Sequence, residues 1–107
     1  MSLFEYIYML TYVVSPAGPA RADKKMKVTL PSGRAVYFGA AGAEDYTTHK
    51  DPQRRLNYIA RHRAREDWND GTTAGFWSRW LLWEEPTLRA ALASVAKRLN
   101  ARVLWRP

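Results

Sequence analysis

The sequence predicts an α+β fold, a small antiparallel sheet packed by three helices at about 52–65, 74–83 and 86–99. Three observations carry this reading. Strand signals crowd the first 38 residues, as an apolar run over 3–14 and an alternating hairpin pattern over 25–38. Helical periodicities follow from Pro52 onward. Connections are short, so one layer of helices can fold back over the sheet.

The elements follow in chain order. Residues 3–14, LFEYIYMLTYVV, are rich in Val, Ile, Tyr and Phe and suit a strand. The run is too short to span a bilayer, which takes roughly 20 apolar residues. It has no basic stretch before it of the kind that opens a secretory signal. A strand apolar on both faces calls for cover on both, from its own domain or from a neighbour. SPAGPARADKK then reads as a Pro/Gly linker, so composition divides the chain into residues 1–24 and a domain over 25–107.

Over 25–38, Met26, Val28 and Leu30 alternate with Lys27 and Thr29. Pro31-Ser32-Gly33 makes the turn, with proline presetting φ and glycine taking the left-handed position. The return strand puts Val36 and Phe38 on one face, Ala35 and Tyr37 on the other.

The helix at 52–65 is the best marked. Asp51 is a good N-cap, and Pro52 sits where a missing N–H costs nothing. Leu56, Ile59, Ala60 and the stem of Arg63 form a stripe at helical spacing, expected to face the core. Arg54, Arg61 and Arg65 fall opposite, with Tyr58 among them. Asp70-Gly71 forms a turn, and Thr72 or Thr73 caps the next helix. There Phe76, Trp77, Trp80, Leu81 and Trp83 span more than half the circumference, so that helix is buried or covered by a partner. Pro86 opens the last helix, with the stripe Leu88, Leu92, Val95, Leu99. Asn100 ends it, and residues 101–105 form a candidate returning strand.

Charge and composition bound the chemistry. The chain carries 17 Lys and Arg against 10 Asp and Glu, a formal charge of +7. Such a balance favours acidic partners. The charge is segregated: 49–65 and 86–107 are basic, and 66–85 acidic. Cysteine is absent, which removes disulfides and thiolate ligands. His49 and His62 show no metal-ligand spacing, GAAG lacks the spacing and lysine of a phosphate loop, and no serine stands in a nucleophile elbow. The sequence therefore predicts no enzyme, no cofactor, no metal and no small-molecule substrate. Three guanidiniums and a phenol on one exposed helix face make Arg54, Tyr58, Arg61 and Arg65 the candidates for gripping nucleic acid or an acidic partner. The competing reading is a solvated face paired with nearby acids. Phe4, Tyr6 and Tyr8, with Trp77, Trp80 and Trp83, are the candidate partner-binding residues, because Trp and other aromatics are enriched at interfaces.

A set of motifs carries a resemblance: Tyr37-Phe38-Gly39, Asp45-Tyr46-Thr47, His49-Lys50-Asp51, Tyr58 with Arg61-His62, Glu66-Asp67-Trp68, and Thr73 through Trp83. Over about residues 25–99 the chain resembles a family of small proteins of large DNA viruses of algae and protists, relatives of mimiviruses and phycodnaviruses. The resemblance implies no activity and no catalytic residues. It does imply a viral setting, in which a small, basic, aromatic-rich protein is expected to be a virion component. The expectation is thus a non-enzymatic structural protein, a minor capsid component bridging capsid proteins, placed in the virion and in the host cytoplasm during assembly. The alternative is a binder of DNA or RNA.

Overall fold

A computed structural model of the chain describes residues 10–107. The candidates Phe4, Tyr6 and Tyr8 lie outside the described residues. The architecture is α+β, a four-stranded sheet with one layer of helices. The strands are β1 (Thr11–Pro16), β2 (Lys24–Thr29), β3 (Ala35–Ala40) and β4 (Arg102–Trp105). The helices are α1 (Tyr46–His49), α2 (Pro52–His62), α3 (Ala74–Trp77) and α4 (Leu88–Leu99). α3 runs straight into a π-helical turn over Ser78–Leu82.

The strand order is β3-β2-β1-β4. The hairpin forms as expected: Gly33 has φ +93° and donates to Leu30 O at 2.8 Å, and Leu30 N–H reaches Arg34 O at 2.9 Å. A side chain is strained at that φ, so the turn requires the glycine. β1 pairs antiparallel with β2, Val14 opposite Val28. β4 differs from the expected antiparallel sheet and pairs parallel with β1, Val14 opposite Trp105. The reason is the path through α4. Asn100 takes a left-handed conformation at its end, and the chain re-enters beside the start of β1, Arg102 N–H donating to Leu10 O at 2.8 Å. β1 is therefore an inner strand, and the fold reaches across the 24/25 boundary drawn from composition. The intervening Pro/Gly stretch contains only a short 3₁₀ turn at Pro19–Arg21.

Alternation assigns the two sheet faces. Val14, Val28, Val36 and Phe38 point inward and are buried, as are Phe76, Trp77, Leu81, Leu82, Ala91 and Val95 from the helices. Val13, Thr29, Ala35, Tyr37 and Leu104 lie on the other face, where among the described residues Arg21 of the 3₁₀ turn stands over the Tyr37 ring at 5.3 Å; Leu104 is 38% exposed.

The helix caps match the chemistry read from the sequence. Asp51 accepts from Gln53 N–H and Arg54 N–H, and Thr73 accepts from Phe76 N–H. The last helix begins after Pro86, because Thr87 supplies the cap to Ala90 N–H at 3.1 Å. α1 was not expected. It is one turn closed by a capping box between Asp45 and Thr48.

α2 turns the wrong way round relative to expectation. Leu56 is 53% exposed, and Ala60 and Arg63 also face solvent, whereas Tyr58 is 6% exposed and is the buried residue of the helix. The inward face is Arg55, Tyr58, Ile59 and His62, so of the expected stripe Ile59 alone stays half-buried. Partners elsewhere in the chain decide this. Tyr58 stacks on Trp83 at 4.5 Å and 3° and on His62 at 4.3 Å and 25°, and Arg55 reaches Glu84. An aromatic stack with matched rings outweighs one leucine on a short stripe.

Candidate functional site

α2 meets the rest of the protein through Tyr58 and Arg55, and a groove of about 410 Å³ opens between its C-terminal half, the β2–β3 sheet end and α3. Lys24 and Lys25 come from the start of β2, Glu44 and Asp45 from the loop before α1, Arg61 and His62 from α2. Phe38, Leu82 and Trp83 give it an apolar floor.

The acids in this groove are already engaged. Asp45 takes Lys25 Nζ at 2.6 Å and also caps α1 through Thr47 N–H at 2.9 Å. Lys25 Nζ donates as well to Ala43 O. Glu66 accepts from Trp68 Nε1 at 2.7 Å on one oxygen and meets His62 Nδ1 at 3.0 Å on the other. With Glu66 ionised, Nδ1 carries the proton and Nε2 is left free. Burial pushes the Tyr58 phenol up to about 12, with the Glu66 charge acting in the same direction.

Gly75 makes the Glu66 position possible. A Cβ there would stand 2.8 Å from Glu66 Oε2 and 2.9 Å from its Cδ. In an unstrained helix Gly→Ala stabilises by about 0.4–1 kcal/mol. Gly75→Ala should instead destabilise, by about 1–2 kcal/mol, because Glu66 must leave both its partners. A urea midpoint combined with the Trp68 indole N–H shift tests this: a stabilised variant with an unmoved Trp68 signal would refute the account.

The sequence-derived candidates separate. Trp77 is fully buried, ringed by Tyr12, Phe38 and Phe76, with Nε1 on Gly71 O at 2.8 Å. It has no surface to offer a partner. Trp80 and Trp83 are half-buried and pack on the core. Trp80 donates to Trp68 O at 2.7 Å and lies under Arg79 and Arg98, at 4.2 and 3.4 Å from the guanidinium carbons. The loop between α2 and α3 thus accepts from Trp77 and Trp80 and binds Trp68 to its own Glu66. Arg54, Arg61 and Arg65 are exposed as expected, with Arg54 3.7 Å from Glu44. Tyr58 is not among them, and being buried it cannot stack a base.

The sequence reading missed Lys24 and Glu66. The i, i+4 spacing of His62 and Glu66 was the available signal for the second. It was obscured because Glu66 lies beyond the end of α2.

A second polar cluster ties α2 to the π-helical turn and the residues after it. Glu84 Oε1 accepts from Arg55 Nη2 at 2.5 Å and Arg79 Nη2 at 2.9 Å. Arg55 Nε, Arg79 Nε and His49 Nε2 are buried without an oxygen partner. Each belongs to a side chain lying against an aromatic ring: Arg55 over Tyr46, Arg79 over Trp80 and Trp68, His49 beside Trp83. The ring faces attract the two guanidiniums electrostatically.

Fold and groove together define a small basic two-layer α+β domain with a polar cleft under one helix. Residues 19–62 match the model of a family of unknown function (DUF5754). That segment covers β2, β3, α1 and α2, and so Lys24, Arg61 and His62. No curated protein and no solved structure matches the chain. Among the described residues no helix is long and apolar enough to cross a membrane.

Proposed function

We propose that this chain is a non-enzymatic structural protein of a large DNA virus, a minor capsid component that bridges capsid proteins. The observation that supports it best is the sheet face turned away from the core helices, as seen among the described residues. Val13 and Leu104 lie side by side on it, with Thr29 and Ala35 in the same row and Tyr37, Lys27 and Ser15 in the next, a half-apolar surface that carries a basic residue of its own. An apolar patch rimmed by polar groups suits a protein neighbour, and the charges give register and selectivity. The viral setting rests on the motif resemblance over 25–99. Trp77 has no surface for a partner, while Trp80 and Trp83 keep part of theirs. Phe4, Tyr6 and Tyr8, outside the described residues, stay candidate contacts in this reading.

The test is incorporation into particles. A Leu104→Glu variant, and separately a chain lacking residues 1–9, should fold with parental circular dichroism and be depleted from purified virions. Removing residues 1–20 is unsuitable, since it takes out inner strand β1. Normal incorporation of both variants, or absence of the parent chain from clean particles by mass spectrometry, would end this reading. Nucleic-acid binding remains the alternative. It keeps Arg54, Arg61 and Arg65, all on the surface, and loses Tyr58.

A further inference from the structure

We propose that the groove between α2 and the β2–β3 end binds a small phosphorylated ligand, its phosphate held by Lys24, Arg61 and His62. The argument is which groups remain uncommitted. Of the three carboxylates lining the groove, Asp45 is held by Lys25 and Glu66 by His62 and Trp68, while Glu44 is exposed and turned to Arg54 at 3.7 Å. Lys24 and Arg61 line it too, yet neither makes an ion pair or a hydrogen bond through its side chain with the described residues. The available charge in the groove is therefore positive, although its formal charges balance.

His62 is set for the same ligand. Tyr58 covers one ring face and Glu66 holds Nδ1, so ring orientation is fixed and Nε2 is the nitrogen left to meet a guest. It accepts from the P–OH of a monoprotonated phosphate, or donates to a phosphate oxygen as imidazolium. A guanidinium, an ammonium and an imidazole give a phosphate both charge and directed hydrogen bonds. The volume, about 410 Å³, exceeds what a phosphate alone fills and matches a small organic ligand. Phe38, Leu82 and Trp83 offer that organic part an apolar floor. This site goes beyond the capsid reading and does not depend on it.

The experiment is a titration of the full chain with inorganic phosphate, glycerol phosphate and adenosine monophosphate, followed by the His62 ring and Trp83 indole NMR signals. Saturable shifts at both residues are expected. The ester should bind more tightly than free phosphate if the apolar floor is used, and equal affinities would restrict the site to the phosphate group. Arg61→Gln and Lys24→Gln should each weaken binding about tenfold, the loss of one charge-assisted hydrogen bond. The control is Arg63→Gln with Arg89→Gln, which removes two exposed charges outside the groove. It should leave affinity within about twofold, a purely screened effect. If the control weakens binding as much as Arg61→Gln, the phosphate is responding to diffuse surface charge and the site is wrong. If the His62 and Trp83 signals stay fixed through tens of millimolar of all three probes, it is wrong outright.

Discussion

Trp77→Ala should cost about 3–5 kcal/mol, the range for emptying a large aromatic site in a core. Trp77 has no exposed surface, touches Tyr12 of β1 and Phe38 of β3, and follows Phe76 on α3. Removing the indole opens a cavity at the junction of helix and sheet, and it strands the Gly71 carbonyl that the indole N–H satisfies. Small domains hold only about 5–15 kcal/mol in total, so the variant should be close to unfolding. The melting midpoint should fall by on the order of 15 °C or more. Trp77→Phe should recover part of this, because it refills volume but leaves the carbonyl unpaired. A Trp77→Ala protein whose urea midpoint gives a loss below about 1 kcal/mol would mean that the helix–sheet junction is not the core.

The same residue shows what the sequence could and could not convey. That the tryptophan helix is apolar nearly all round was legible from its periodicity, and so were the caps at Asp51 and Thr73, the turn at Gly33 and the stop at Asn100. These are local matters, set by which backbone groups need partners within a few residues. Whether the apolar girdle meets its own domain or another chain is not local. It depends on a sheet whose inner strand β1 lies far away in sequence. α2 fails for the same reason: Leu56 and Ile59 make a good stripe on paper, yet Tyr58 finds Trp83, 25 residues on, and turns the helix. The parallel pairing of β4 with β1 is equally nonlocal, with nearly the whole chain between the two strands. The groove follows from that rotation of α2. Lys24 and Arg61 become neighbours of one cleft only once the helix stands where the stack puts it.

Glu84→Gln should cost about 2–3 kcal/mol at neutral pH, less than removing one partner of a fully buried pair, because Glu84 and Arg55 each keep 23% exposure and only Arg79 is buried. Glu84 is one carboxylate serving two guanidiniums, and the Arg79 side chain is only 8% exposed. Burial pushes the Glu84 carboxyl up, but its hydrogen bond to Arg55 and the charge of Arg79 pull harder, and it lies below the usual carboxylate range. Burial likewise pushes the Arg79 guanidinium down, against the attraction of Glu84. The two directions differ because the carboxylate has two cations while Arg79 shares its one anion with Arg55. The depressed carboxyl is the firmer guide to pH dependence. Its stabilisation is fully present above the ordinary carboxylate range, and is lost as pH falls through that range and on through the folded-state value. The parent should therefore lose melting temperature steeply on acidification below about pH 5, where unfolded carboxylates begin to take up protons. Glu84→Gln should start lower and fall less. Some slope will remain, because hydrogen bonds from Arg21 and Thr72 hold the exposed Asp23 and Asp70 low as well. Replacing Arg55, Arg79 and Glu84 together by methionine should cost less than Glu84→Gln alone, since no buried charge is then left uncompensated. Parallel melting curves for parent and Glu84→Gln across pH 7 to 3 would show that Glu84 is solvated, and that the two arginines are held by their aromatic neighbours instead.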